Sequence, residues 1–315
     1  MLNLKSPISV VWEITNNCNF KCPHCRAYEE FTVDDEQIEN KIIDELIKND
    51  ILTVNISGGE PLLNPRIFEI IQRLSNANMY VGISTNGWLY KEKRKKLLEA
   101  GLKFIQVSLD GDKMLHEKFR GVEGSYERAV DTLKQAKKDG LFTQMNVTIT
   151  SENLKTLEWN YNKALEIGVD KILYRRVVSA GKAVENDYII PNKKEYIDTI
   201  QKLIKLDNSK LIVAVDDPII YAIQDIESDE KLGCAAGIKS VGISSNGDIY
   251  PCIFLREKLG NITKDNLEEL WQNNEILNKL RNKDINECGK CKYKFSCGGC
   301  RAASGIFEKD LMCPI

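Results

Sequence analysis

The sequence predicts an α/β fold, a partial (β/α)6 barrel with a small loop-rich C-terminal domain behind it. Three observations carry this expectation. Short β-branched runs alternate with amphipathic helical stretches six times, the pattern of a parallel sheet with right-handed crossovers. Gly101, Gly140 and Gly168 each follow a helical run, where a left-handed residue closes a helix. After about Leu206 the alternation gives way to a tail punctuated by Cys and Gly. Six units fall short of the eight that close a full barrel, so the barrel is expected to be open.

The strand-like runs are Ser9 to Thr15, Thr53 to Ser57, Tyr80 to Ser84, Phe104 to Ser108, Gln144 to Ile149 and Lys171 to Arg175. Helical patterns between them span Asp34 to Lys48, Pro65 to Ser75, Lys91 to Ala100, Ser125 to Lys138 and Asn153 to Ile167, and Lys193 to Lys205 closes the sixth unit. Their apolar residues recur at three- and four-residue spacing, as in Ile38, Ile42, Ile43, Leu46 and Ile47. One more strand-like run, Leu211 to Val215, and a short helical segment, Pro218 to Ile226, lead into the tail, where a single helix is expected from Leu267 to Arg281. The expected division is 1–206 for the barrel, 207–230 for a bridging segment and 231–315 for the tail domain. That tail is too loop-rich to hold much apolar core and calls for a metal or disulfide staple.

Hydrophobic residues make up 43% and charged residues 29% of the 315, the balance of a globular protein with a sizeable core, which excludes disorder. No apolar run exceeds five residues, against about 20 for a bilayer span, and Met1 to Thr15 lacks the apolar segment of a secretion signal. A cytoplasmic protein without membrane contact is expected. Lys and Arg number 44 against 46 Asp and Glu, a net charge of −2, too balanced for a nucleic-acid-binding face. Ten cysteines fall into two groups. Close-spaced thiols without a secretion signal point to metal or redox centres rather than disulfides.

Cys18, Cys22 and Cys25 follow the first strand with the spacing C-x3-C-x2-C, at the strand end where parallel α/β folds assemble their sites. Three thiolates do not ligate all four irons of a 4Fe–4S cluster, so one iron keeps an open position. A zinc site with His24 as fourth ligand is the other reading, although His24 lies between two of the cysteines and converges awkwardly on one tetrahedron. SGGEP follows the second strand. Gly58 and Gly59 let backbone approach a ligand, and Glu60, before Pro61, offers charge to an ammonium, while the same letters also write an ordinary turn. STNG, with Asn86, ends the third strand, VSLDG, with Ser108, ends the fourth, and KFRG carries Arg120. The bland readings of the last two are a solvated loop and a surface arginine.

This ordered series at successive strand ends resembles the radical S-adenosylmethionine (SAM) enzymes, over roughly Ile8 to Leu206. The resemblance implies a partial barrel of the radical SAM type and a catalytic 4Fe–4S cluster on Cys18, Cys22 and Cys25. It implies SAM bound by Gly58, Gly59, Glu60, Pro61, Asn86, Ser108 and Arg120, with no catalytic residues beyond cofactor ligands. The implied chemistry is reductive, anaerobic cleavage of SAM to a 5′-deoxyadenosyl radical that abstracts a hydrogen atom from the substrate. An electron donor such as flavodoxin or ferredoxin is the implied partner.

Seven cysteines remain. Cys234 precedes Gly247-x4-Cys252; then come Cys288, Cys291, Cys297 and Cys300 in C-x2-C-x5-C-x2-C, and Cys313 closes the set. Taken alone, the four clustered thiols also suit a structural zinc ribbon. Behind the first motif series they resemble the SPASM extension with its auxiliary 4Fe–4S clusters, and CGKCKYKFSCGGCRA is similar to the mycofactocin and pyrroloquinoline quinone peptide maturases and heme-pathway relatives. The resemblance implies an outer cluster on Cys288, Cys291, Cys297 and Cys313 and an inner one on Cys234, Cys252 and Cys300. Seven cysteines are one short of two full sets, so the inner cluster is expected to have an open or water-capped iron; Ser240 or Asp248 as the cap, or a smaller or absent cluster, are the alternatives.

The leading expectation is an oxidoreductase of the maturase kind, acting on a ribosomally made peptide to form a cross-link or to decarboxylate it oxidatively. With the first strand starting near Ser9, a separate peptide-recognition protein or a small-molecule substrate is also expected. The second reading is a porphyrin decarboxylase or side-chain-modifying enzyme of the heme pathway, for which Arg175 and Arg176, expected to face the site, would meet propionates, although such a pair equally serves the SAM carboxylate. Sulfatase maturases place an Asp after the cysteine of G-x4-C, where this chain has Ile253. A non-enzymatic iron–sulfur electron carrier would have no use for GGEP or an open iron.

Overall fold

Period-two alternation sets the sheet. In β1 (Ser9–Thr15) the side chains of Val10, Trp12 and Ile14 are buried in the core. β2 (Thr53–Gly58), β3 (Tyr80–Thr85), β4 (Phe104–Ser108), β5 (Phe142–Ile149), β6 (Lys171–Arg176) and β7 (Ile212–Val215) follow, each parallel to the one before it. The computed structural model describes residues 4–26, 35–186, 189–206, 209–230, 232–305 and 308–315. Asp34 and Lys231, where the sequence reading begins a helix and the tail, lie outside them.

Helices α1 (Glu36–Lys48), α2 (Ile67–Asn76), α3 (Tyr90–Glu99), α4 (Lys113–Arg120), α5 (Ser125–Lys138), α6 (Leu157–Ile167) and α7 (Lys193–Leu203) supply the crossovers. α1 starts at Asp35, whose side chain accepts from Gln37 N and Ile38 N, and it buries Ile42, Ile43 and Leu46, each such side chain stabilising by roughly 1.5–3 kcal/mol. Gly101, Gly140 and Gly168 all have positive φ, as the helix ends require. The sequence reading missed α4. It is short, capped by Asp112 and closed by left-handed Gly121, and its few apolar residues give a weak period.

The tail departs from expectation in two ways. α8 (Ile219–Ile223) leads to β8 (Ser240–Ile243), which pairs in parallel with β1 on the side opposite β2, and β9 (Asp248–Tyr250) and β10 (Gly260–Asn261) add antiparallel strands beyond it. The result is one ten-stranded sheet ordered β10-β9-β8-β1-β2-β3-β4-β5-β6-β7, whose ends do not meet, so the barrel is open. Val241, Ile243, Ile249, Trp271 and Leu277 belong to the same buried cluster as the barrel core, so the tail has more apolar support than its composition suggests. The single helix expected from Leu267 to Arg281 is two, α9 (Leu267–Asn273) and α10 (Glu275–Asn282). Asn274 breaks the run with an extended backbone and caps α10 by accepting from Ile276 N and Leu277 N. Among the described residues no helix is long and apolar enough to cross a membrane.

Candidate functional site

β1 runs into the first cysteine loop, and β2 holds that loop in place. Gly59 N donates to Thr15 O at 2.7 Å and Glu60 N to Asn17 O at 2.8 Å. A Cβ at Gly58 or Gly59 would lie within 3.0 Å of the Thr15 or Asn17 carbonyl oxygen, and Gly58 has a φ of +126°. The glycine pair therefore lets two backbones meet beneath the loop, a role not foreseen in the sequence. On the far side, Lys182 N donates to Cys25 O at 2.9 Å.

Cys18, Cys22 and Cys25 line one cavity of about 530 Å³, together with Gly58, Gly59, Asn86, Ser108 and Arg120. Cys18 is exposed as a residue, yet desolvation by the protein around its thiol pushes it up to about 11, and the charges of Glu60, Cys22 and Cys25 push the same way. Burial also raises Cys22, against the pull of the Arg120 guanidinium. Thiols near enough to raise one another are poised for a cationic centre, and an all-sulfur set is what iron–sulfur clusters take. His24 instead stacks on Phe119, ring centroids 3.9 Å apart. Among the described residues no three His, Cys, Asp or Glu side chains gather closely enough for a single metal ion. The donor chemistry fits a cluster.

Glu60 is not available to an ammonium in the cavity. Its buried carboxylate is engaged: Oε1 accepts from Leu62 N at 3.1 Å and Thr85 Oγ1 at 2.7 Å, and Oε2 accepts from Asn86 N at 2.9 Å. Burial raises its pKa to about 7. It orders the turn that presents Asn86, and Pro61 starts the buried 3₁₀ turn that Glu60 caps. Arg120, at the end of α4, is no surface arginine, being 8% exposed. Its Nε donates to Asp110 Oδ2 at 2.8 Å, its Nη2 pairs with the same oxygen at 2.6 Å, and its Nη1 reaches Cys22 Sγ at 3.8 Å.

The barrel lumen is polar. Asn55 Nδ2 donates to Ser84 Oγ at 3.0 Å, Ser84 Oγ to Gln106 Oε1 at 2.9 Å, Asn146 Nδ2 to the same oxygen at 3.2 Å, and Gln144 Nε2 to Asn146 Oδ1 at 2.6 Å. Arginines at its mouth are matched by acids. Arg26 pairs with buried Glu13, which Arg256 also reaches at 2.7 Å, and Arg175 Nε donates to Asp216 Oδ2 at 2.7 Å. Phe254 meets both Arg26 and Arg175, their guanidinium carbons 5.4 and 5.2 Å from its ring centroid. The chain just after Cys252 thus reaches into the barrel mouth. Sequence reasoning placed Arg175 at the site and missed the rest of this set. The available signal was the run of amides at alternate strand positions, where a parallel sheet buried on both faces would be apolar.

Behind the mouth, Cys234, Cys252 and Cys300 line a second cavity of about 290 Å³, with Ser240 on its wall. Burial pushes Cys234 up to about 12, with Cys252 and Cys300 adding to it. Arg175, Asp216 and Phe254 line both this cavity and the first. Asp248 is engaged elsewhere, paired with Lys258 at 2.7 Å. Cys288, Cys291, Cys297 and Cys313 line a third, small cavity, where burial pushes Cys297 up to about 12. Arg176 lines both the first and second cavities as expected of a site residue, but its charge is already committed to acids. It pairs with Asp217 at 3.1 Å and donates to Asp310 Oδ1 at 2.8 Å, and Asp310 accepts from Cys300 N at 2.7 Å.

Comparison with known proteins places these features together. Residues 12–164 match the radical SAM superfamily and residues 234–298 the SPASM iron–sulfur cluster-binding domain. The chain is similar to the AdoMet-dependent heme synthase of Methanosarcina barkeri, 31% identical with 98% of this chain and 95% of that protein covered. It is similar to the antilisterial bacteriocin subtilosin biosynthesis protein AlbA of Bacillus subtilis, 30% identical over 93% of this chain and 67% of that protein. The fold is similar to that of Streptococcus suis SuiB bound to S-adenosylmethionine, with a TM-score of 0.75 at 20% identity, covering 99% of this chain and 78% of SuiB. SuiB bound to precursor peptide SuiA matches with a TM-score of 0.74, at 20% identity over 99% of this chain and 76% of that one.

Proposed function

The chain belongs to the radical SAM superfamily and carries a SPASM iron–sulfur domain, and from that premise we propose that it modifies a peptide held in the barrel lumen. It is an enzyme that uses SAM and iron–sulfur clusters. Bound there, SAM and the catalytic cluster supply reductive cleavage of the sulfonium bond and hydrogen-atom abstraction by the 5′-deoxyadenosyl group. Cys18, Cys22 and Cys25 hold that cluster, and Gly58, Gly59, Asn86 and Ser108 meet SAM. Glu60 and Arg120 act from behind, Glu60 by ordering Asn86 and Arg120 by keeping positive charge beside Cys22. Cys234, Cys252 and Cys300 hold the inner auxiliary cluster, and Cys288, Cys291, Cys297 and Cys313 the outer one. The work takes place in the cytoplasm, where thiols stay reduced.

The observation that carries the peptide reading is the hydrogen-bonded band of Asn55, Ser84, Gln106, Gln144 and Asn146 beside guanidinium groups already matched by acids. Amides and hydroxyls that both donate and accept suit peptide groups. A polyanion would call for uncommitted arginines. The second reading, a tetrapyrrole substrate, is favoured by similarity to the heme synthase along nearly the whole of both chains.

Reconstituted protein, given SAM and a strong reductant without oxygen, should release 5′-deoxyadenosine. Cys18, Cys22 and Cys25 changed together to Ala should abolish this and leave the C-terminal iron in place; undiminished cleavage would sink the assignment. Product mass after incubation with candidate peptides or with iron coproporphyrin separates the two substrates.

A further inference from the structure

β6 turns Lys171, Leu173 and Arg175 to the lumen and buries Ile172 and Tyr174 on its other face, while Arg176, the last residue of the strand, also lines the cavity with its guanidinium held by Asp217 and Asp310. Lys171 stands at the start of the strand. Its register partner on β5 is Gln144, whose own partner on β4 is Gln106, so the amide band ends on this ammonium. The other cations of the lumen have acids within reach: Arg26 has Glu13, Arg120 has Asp110, and Arg175 has Asp216. The Lys171 ammonium has no hydrogen bond or ion pair among the described residues. It feels Asp216 and Arg175 at longer range, and Asp216 is held by Arg175. Burial lowers its pKa, as it does for an ammonium without close compensation.

We infer that Lys171 forms a carboxylate-binding subsite at the deep end of the lumen. Resting on the substrate reading above, it takes either an acidic side chain of a peptide or a propionate of a tetrapyrrole. A carboxylate there would supply the counter-charge that the protein gives its arginines and withholds from this lysine, through a charge-assisted hydrogen bond in a partly desolvated site. Arg175 lies four residues further along β6, about 13 Å away at strand rise, on the wall shared with the inner-cysteine cavity. The subsite therefore orients the substrate acid-first and fixes the distance from its acid to the position modified at the mouth.

The test uses reconstituted protein with SAM bound and two probe pairs. One is N-acetylglutamate N-methylamide against N-acetylglutamine N-methylamide, read by calorimetry. The other is coproporphyrin III against its tetramethyl ester, read by the Soret shift. At least one acid should bind about tenfold or more tightly than its neutral partner. Lys171→Arg should keep that preference and Lys171→Met should remove it; where Lys171→Met fails to fold, by melting and iron content, Lys171→Gln carries the same test. Preference in the first pair assigns the peptide acid, and in the second the propionate. Ratios near one in both pairs, or a preference that survives loss of the charge, overturn the subsite. Failure of the same wild-type preparation to form 5′-deoxyadenosine would strike the radical reaction alone, because the binding ratios need no turnover.

Discussion

Replacing Glu60 by Ala tests whether this carboxylate faces a ligand or the protein itself. Three donors converge on it, Leu62 N, Thr85 Oγ1 and Asn86 N, at 3.1, 2.7 and 2.9 Å. Truncation leaves these buried donors without an acceptor at about 1–3 kcal/mol each, and neighbours are not additive, so the loss should be on the order of 4 kcal/mol. In a chain of this size that lowers Tm by about 6 °C. Burial raises the carboxyl from its ordinary 4.5 to about 7 in the fold. The native state then binds the proton more tightly than the unfolded chain, and the group's contribution is present below pH 4.5 and lost as pH rises through 7. Between pH 5.5 and 8 it should remove about 2 kcal/mol of wild-type stability, a slope that Glu60→Ala lacks. Circular-dichroism melts of both proteins across that range, with SAM affinity by calorimetry, provide the readout. A variant that melts within about 2 °C of wild type yet loses SAM would refute the reasoning and return Glu60 to the ligand.

Gly59→Ala should displace the first cysteine loop, because its Cβ would collide with the Asn17 carbonyl, and bound iron should fall by about four per chain with loss of SAM cleavage. Arg176→Leu leaves Asp217 and Asp310 buried without their cation; a cost of about 3–5 kcal/mol is expected, read as a lower Tm, together with iron lost from the Cys300 side. Iron and sulfide counts after full reconstitution should approach about twelve per chain, whereas about eight would mean that Cys234, Cys252 and Cys300 hold no four-iron cluster.

The strands and most helices were legible in the sequence because alternation and the 3.6-residue period are local properties, written by neighbours along the chain. So were the cysteine sets: C-x3-C-x2-C and C-x2-C-x5-C-x2-C put thiols near one another through covalent spacing, whatever else the fold does. Grouping Cys234 and Cys252 with Cys300 needed the family resemblance, since nothing local joins residues so far apart. Only the tertiary structure decided which partner each polar side chain takes. Glu60 reads as a free charge in SGGEP, but β3 brings Thr85 and Asn86 to it. Arg175 and Arg176 are adjacent in sequence, yet strand alternation sends one toward the lumen and the other to Asp310, 134 residues away. β8 reads as part of a loop-rich tail and gains its place only because the flank of β1 offers unpaired backbone groups and an apolar face. Such choices depend on which distant segments approach within about 3 Å, a quantity no local spacing encodes.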